Sequence, residues 1–448
     1  MVTEVSLGMS SAVLSRHKKN LLKVLYPRPG RPIKRAQGLY VEDVDGNRYL
    51  DFMSGGFTAV GYSHPKVVEA IVEQAKRGAD NPRSDHFLAV PELHSDLAEE
   101  IKSFVPNELA DGKILFGHSG SDIIERSIRL VRFATKRPMI ISHYDAHHGA
   151  TSAALSASPT LKEMGSNIVA RFFQLPGFLH MPFPDPYRPW FGSSTDEGRA
   201  NLAFLERLLS SVVSPQMIAG IIVEPILSMG GNIVPPDGYF EGLAKLCQEN
   251  QIPLVADEIL TGITKTGRMF AMEHWNVWPD VICLGKALSG SLPLSVLLAR
   301  NDLAEKWEPK DHAPMGRDGY VLGCAASVAI LRLVREERLV ERAERMGNYL
   351  MKCLRDLKED RGLMGQIRGL GLMLGFDLVE SEDSKKPTSD LAENVALRVQ
   401  KHGLIIGTVG VKGNILRFMP STTVDEEQID TAVQILDTVF RHLAPYKS

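Results

Sequence analysis

Three short stretches hold residues whose types and spacing suit catalysis. In IPLVADE (252–258) an aspartate, Asp257, ends a run of apolar residues, and in DVICLGK (280–286) a lysine, Lys286, ends another. Near-continuous apolar runs of this length are expected of parallel strands covered on both faces. Open α/β sheets bind ligands at the carboxyl ends of such strands. A lysine this close to a core strand is costly as a cation; imine formation removes the charge and makes the amine chemically useful. In FGHSGSDIIERSIRL (116–130) a strand leads into Ser119, Gly120, Ser121 and Asp122 just as an amphipathic helix begins. Backbone N–H groups and hydroxyls at a helix N-terminus make an anion site. Each stretch also has a plainer reading. An acid at a strand end caps the next helix, a lysine beyond the strand reaches solvent, and Ser-Gly-Ser is an ordinary cap with Asp122 complementing the dipole.

Taken together, an amine, a carboxylate and a phosphate cradle on one sheet edge are what pyridoxal 5'-phosphate (PLP) requires of a protein. The elements that must position them are legible in the same way. KILF (113–116), MIISHY (139–144), AGIIVEP (219–225) and PLSVLLA (293–299) read as further buried strands. Helical segments lie between them, with Ile124, Ile128 and Val131 at 3.6-residue spacing. The expected class is α/β, a mostly parallel central sheet with helices on both faces. GLYVEDVDGNRYLDF alternates apolar and polar residues about Asp45-Gly46 and reads as a hairpin. The region after Leu331 mixes strands with charged helices, and ESEDSKKPTSD is a polar loop. The expected domains are a large PLP-binding α/β unit over 61–331 and a small α+β unit from 1–60 and 332–448.

Composition narrows the partners. A net charge of -3 over 448 residues, with basic clusters such as Arg31–Arg35 and Arg126–Arg137 interspersed by acids elsewhere, gives no stripe for nucleic acid. No apolar run approaches the roughly 20 residues of a membrane span, and the N-terminus has no apolar core of a signal peptide. The four cysteines form no CxxC pair, so no metal site is suggested, and reduced thiols fit a cytoplasmic protein.

The chain resembles the class III (omega-type) aminotransferases of PLP fold type I over nearly its whole length. GYSHP (61–65), SGSD (119–122), HHG (147–149), EPILSMGG (224–231), DEILTG (257–262), TGRMFAMEHW (266–275), PDVICLGKALSGSLPL (279–294), RGLGLMLGFDL (368–378) and LRFMP (416–420) follow the family's order. The resemblance implies that Lys286 carries the cofactor and moves the proton, and that Asp257 faces the pyridine nitrogen. It further implies that Ser119, Gly120 and Ser121 hold the phosphate, that His147 stacks on one ring face and Ile259 packs the other, and that Arg417 binds a substrate carboxylate. Glu224 is expected to pair with Arg417 when the site is empty. Amino acids or amines and 2-oxo acids are the implied substrates, and a homodimer the implied assembly.

Several positions depart from the family. Leu260 stands where a glutamine is usual, the MGRDGYVLGCAA stretch lacks the phosphate-binding threonine, and the loop from Phe52 to Gly61 is one residue short. FPDPYR (183–188) looks like the aminocaprolactam racemase and isoleucine epimerase group, yet Met229 stands where those racemases carry an aspartate. EPILSMGG looks like dialkylglycine decarboxylase, yet Gly56 stands where that enzyme has its assisting glutamine. Plain aminotransfer needs the fewest extra groups. Racemisation, decarboxylation and a catalytically silent scaffold are the alternatives.

Overall fold

The turn at Asp45-Gly46 and the apolar runs all fold as regular elements. A computed structural model describes residues 8–22, 31–78, 83–84, 87–88, 91–159, 174–192, 196–308, 318–359 and 362–443. Residues 315–317 of the MGRDGY stretch lie outside them. After the helix Gly8–Asn20 come β1 (Ile33–Gln37), β2 (Tyr40–Asp43) and β3 (Arg48–Asp51), an antiparallel meander. The Asp43 carboxylate ties its turn by accepting from the N–H groups of Asp45 and Asn47, and Gly46 takes φ +86°, which suits glycine. β4 (Arg83–Ser84) and β5 (Phe87–Leu88) pair with each other.

β6 (Lys113–Gly117), β7 (Met139–His143), β8 (Phe178–Met181), β9 (Ile218–Val223), β10 (Leu254–Asp257), β11 (Val281–Leu284) and β12 (Ser295–Ala299) build one sheet in the order β6-β12-β11-β10-β9-β7-β8. Parallel pairing holds from β11 through β10, β9 and β7 to β8. One expectation is corrected: the PLSVLLA strand, β12, runs antiparallel to both β11 and β6. Burial on both faces produces the same apolar run whichever way a strand points, so composition carries no direction. The edge strand β8 went unread because FLHM is only four residues long, with His180 interrupting its apolar run.

Side-chain alternation accounts for the layers. Leu254 and Ala256 join a core with Leu205, Tyr239 and Leu243 from the helices Glu197–Ser211 and Tyr239–Glu249. Val255 points the other way, into a core with Ile124, Ile128 and Val131 of the helix Gly120–Thr135. Successive residues of a strand face opposite sides, so a strand buried on both must be apolar throughout. Each such side chain contributes roughly 1.5–3 kcal/mol.

β13 (Met364–Leu370), β14 (Met373–Leu378), β15 (Leu404–Ile405), β16 (Gly407–Val409) and β17 (Ile415–Phe418) complete the chain. β13-β14-β17-β16 is an antiparallel sheet, and β15 pairs in parallel with β3. Leu50 and Phe52 share one core with Leu350, Leu416, Phe418 and Leu436, so the two chain ends pack together. The helix that carries residue 331, Val321–Glu336, is continuous. The FPDPYR loop is fastened to β14: Arg188 and Arg368 both donate to the buried Asp377 carboxylate. Among the described residues no helix is long and apolar enough to cross a membrane.

Candidate active site

Strand order brings the chemistry together. β11, β10, β9 and β7 are neighbours, about 4.8 Å apart, and their carboxyl ends lead to Lys286, Asp257, Glu224 and His147–His148 respectively. A cavity of about 280 Å³ opens there, lined by Ser119, Gly120, Ser121, His147, Glu224, Asp257, Ile259, Lys286 and Arg417 among others. Every residue singled out from the sequence as a site residue lines this one cavity.

Lys286 follows Gly285 at the end of β11 and opens a short 3-10 turn with φ +41°, a left-handed conformation that costs a side-chain-bearing residue energy. Burial pushes its ammonium pKa down; Asp257 and Glu224 oppose this, and Arg417 adds to it. Its Nζ lies 5.8 Å from the centre of the Phe57 ring. Asp257 is fixed on both oxygens. Ile259 N–H donates to Oδ1 at 3.1 Å, and His148 Nδ1–H donates to Oδ2 at 2.7 Å. His148 is fully enclosed; burial disfavours its cation, but the hydrogen bond and charge of Asp257 win and raise its pKa. The sequence reading gave His148 no role. The only signal was a second histidine beside the first, and which of the two turns inward is a tertiary matter.

The helix Gly120–Thr135 meets the same cavity end-on. Ser119 Oγ accepts from Asp122 N–H, and Ser119 O from Ile123 N–H. The N–H groups of Gly120 and Ser121, in the first turn, have no intrahelical partner. Gly149, at φ +145°, lets its loop close on this turn: a Cβ there would sit 2.6 Å from Ser121 Oγ. Ala150 N–H donates to that hydroxyl at 3.0 Å. Asp122 does more than complement the dipole. It accepts from His118 N–H and from Arg126 Nε, each at 2.9 Å, while Arg126 grips both oxygens of Asp318 at 3.1 and 2.8 Å. Asp318, the first described residue of the MGRDGY stretch, is thereby anchored behind the cradle.

Arg417 projects from β17, opposite Gly375 of β14 and Gly407 of β16. A Cβ at Gly407 would meet Met53 Sδ at 2.3 Å; its absence lets the Met53 sulfur sit 3.7 Å from Arg417 Nη2, with Met229 Sδ 3.9 Å from Nη1. Burial pulls the Arg417 pKa down to about 10, against the pull of Glu224, so the guanidinium is charged at neutral pH. The expected Glu224–Arg417 pair is not formed. Glu224 Oε1 accepts from His147 N–H at 2.8 Å, and Oε2 accepts from Ser228 N–H at 3.1 Å and Ser228 Oγ at 2.5 Å. The backbone beyond β9 turns back on the carboxylate and satisfies it locally. The His147 ring opens onto the cavity, and burial, Lys286 and His148 all lower its pKa. Leu260 lines the wall without any polar atom to offer.

PLP fits this donor set. Gly120 and Ser121 of the helix's first turn line the cavity, both Asp257 oxygens are held by hydrogen bonds, and burial lowers the Lys286 pKa. The class-III aminotransferase model matches residues 25–440. The chain is 33% identical to a leucine/methionine racemase of Thermococcus litoralis over 90% of its own length and 89% of that protein's. It is 32% identical to a probable 4-aminobutyrate aminotransferase of Bacillus subtilis, covering 91% and 92%. Its fold superposes on a taurine:2-oxoglutarate aminotransferase of Bifidobacterium kashiwanohense, solved in complex with PLP and glutamate. That match has a TM-score of 0.86 and 26% identity, and covers 96% and 97% of the two chains. The carboxyl edge that gathers a lysine, an aspartate and a helix N-terminus therefore belongs to a PLP-dependent enzyme, and this chain is a member of the class-III aminotransferase family.

Proposed function

We propose that this protein moves the amino group of an amino acid to a 2-oxo acid, with Lys286 as the base and Arg417 as the carboxylate anchor. The observation that carries the reading is the placement of Lys286, Asp257 and Arg417 around one cavity, with only methionine sulfurs against the Arg417 guanidinium and no ion pair to it among the described residues. PLP, when bound, supplies an electron sink that makes the substrate α-hydrogen acidic.

The residues divide the remaining work. The N–H groups of Gly120 and Ser121, with the Ser119 and Ser121 side chains beside them, hold the phosphate at the helix N-terminus. Asp257, kept in place by His148, faces the ring nitrogen and stabilises its protonated form. Ile259 and the His147 ring bracket the two faces. Lys286 would take the proton from the substrate α-carbon and deliver it to the cofactor carbon on the other side of the amino nitrogen, which a single amine can do for both positions. Burial lowers its pKa, which favours the neutral amine that can accept a proton. Met229 lies against the Arg417 guanidinium, and Leu260 adds apolar wall to the cavity. The reading extends to a cytoplasmic homodimer. All four cysteines are free thiols, which suits a reducing compartment, and light scattering tests the assembly.

The decisive experiment pairs spectroscopy with product analysis. The holoenzyme should show a visible lysine-linked absorption band that Lys286→Ala loses. A panel of amino acids with pyruvate or 2-oxoglutarate should yield new amino acid and new oxo acid in equal amounts. A colourless protein that cannot be reconstituted, or inversion of the donor without any transfer, would overturn the proposal.

A further inference from the structure

We propose that Met53 and Met229 are an oxidation site: as sulfoxides, the two side chains put an oxygen against Arg417 and weaken its grip on a carboxylate. The proposal rests on the reading of Arg417 as the carboxylate anchor, while the oxidation itself needs no turnover.

The two sulfurs bracket the guanidinium. Met229 Sδ lies 3.9 Å from Nη1 and Met53 Sδ 3.7 Å from Nη2, and the Arg417 Nε is buried without a partner among the described residues. Both methionines are held in place by their backbones. Met53 N–H donates to Asp51 Oδ1 at 2.8 Å. The Met229 carbonyl accepts at 2.9 Å from Gly410 N–H, in the turn between β16 and β17.

A thioether is a weak acceptor, so the guanidinium gains little from either sulfur. Oxidation turns that apolar group into a polar one with an oxygen to offer. An N–H···O bond spans about 2.7–3.2 Å, and an oxygen carried on either sulfur can bridge the present gaps of 3.7 and 3.9 Å. The oxidised pair then occupies both arms of the fork that a carboxylate grips. Hydrogen bonds to a charged group are the stronger kind, and an arriving carboxylate must displace them.

The oxidant can reach these sulfurs. Met229 lines the cavity, and both methionines are half-buried, whereas Met181, Met272, Met373 and Met419 sit in the core. With hydrogen peroxide as oxidant, a lone pair of the thioether attacks one peroxide oxygen. An S–O bond forms and the O–O bond breaks. The sulfur gives up two electrons, and the remaining oxygen leaves as water. Reductases specific for each sulfoxide epimer reverse the change.

The test exposes the holoenzyme to hydrogen peroxide and locates the added oxygen by peptide mass spectrometry. The exposed Met9 and Met217 report that the oxidant was sufficient. Binding of pentanoate, a carboxylate without an amine, is followed by calorimetry. Oxygen at Met53 and Met229 should raise the pentanoate Kd about tenfold, and methionine sulfoxide reductases A and B should restore it. The double variant Met53→Leu with Met229→Leu should change its Kd by less than about twofold under the same treatment. Oxidised Met9 and Met217 beside untouched Met53 and Met229 overturn the proposal. So does an unchanged Kd once both carry oxygen, or an equal loss in the double variant. Should that variant not fold, wild type decides: a loss that persists after both sulfoxides are reduced overturns the proposal. Untreated protein that binds pentanoate no better than Arg417→Leu overturns the anchor reading as well; an intact anchor that ignores the oxidation overturns this proposal alone.

Discussion

Replacing Lys265 with methionine should flatten the rise of stability with alkaline pH. The Lys265 side chain is fully buried and makes one hydrogen bond, from Nζ to the carbonyl of Pro420 at 2.8 Å. That carbonyl lies three residues beyond Arg417, so the lysine helps seat the strand that carries the anchor. Burial lowers its pKa from 10.5 to about 7. The unfolded chain therefore holds a proton between pH 7 and 10.5 that the folded chain has released, and stability rises with pH across that window. The full shift corresponds to roughly 5 kcal/mol, of which about 2 kcal/mol is recovered between pH 7 and 9. Methionine is close in volume and carries no charge, but it leaves the Pro420 carbonyl unpaired, a cost of about 1–3 kcal/mol. Urea unfolding of the holoenzyme at pH 7, 8 and 9 should find Lys265→Met at least as stable as wild type at pH 7. The comparison should then move in favour of wild type by about 2 kcal/mol by pH 9. Parallel pH profiles for the two proteins would refute the claim that Lys265 loses its charge on folding.

Two further substitutions probe the frame of the site. Glu258 is raised to about 7 by burial, against the donors Thr261, Met272 and Ala271. A raised carboxylate pKa means stability is lost as pH climbs from the unfolded value through 7. Wild type should lose about 2 kcal/mol relative to Glu258→Gln between pH 5 and 7, read by the same unfolding assay. Gly55 packs so closely on β17 that a Cβ would lie 2.0 Å from the Pro420 carbonyl oxygen, and backbone cannot give way. Gly55→Ala should destabilise by about 1–3 kcal/mol and weaken binding of pentanoate, an amino-acid analogue without the amine, at Arg417, measured by thermal melting and calorimetry.

How far the sequence reaches differs by element. The strands ending at Asp257 and Lys286 were legible because burial on both faces forces an unbroken apolar run, and a charged residue at its end stands out. The helix opening at Ser119 was legible because its cap has a fixed spacing, which the Ser119–Asp122 hydrogen bond bears out. The direction of β12 was not, since a buried strand is equally apolar whether it runs up or down. His148 was passed over for a similar reason, because two adjacent histidines are equivalent until the chain turns one of them onto Asp257.

The amino-acid sequence determined the α/β class and the strand-end lysine and aspartate through periodicity and spacing, while its resemblance to the class-III aminotransferases supplied the family and the remaining residues that meet at the cavity. Only the tertiary structure decided the partners of the charges. Whether Glu224 faces Arg417 or Ser228 depends on how the loop after β9 folds back. Whether Lys265 meets water or the Pro420 carbonyl depends on the packing of β17, more than 150 residues away. Electrostatic energies depend on distance and burial, and neither is written in the order of residues along the chain.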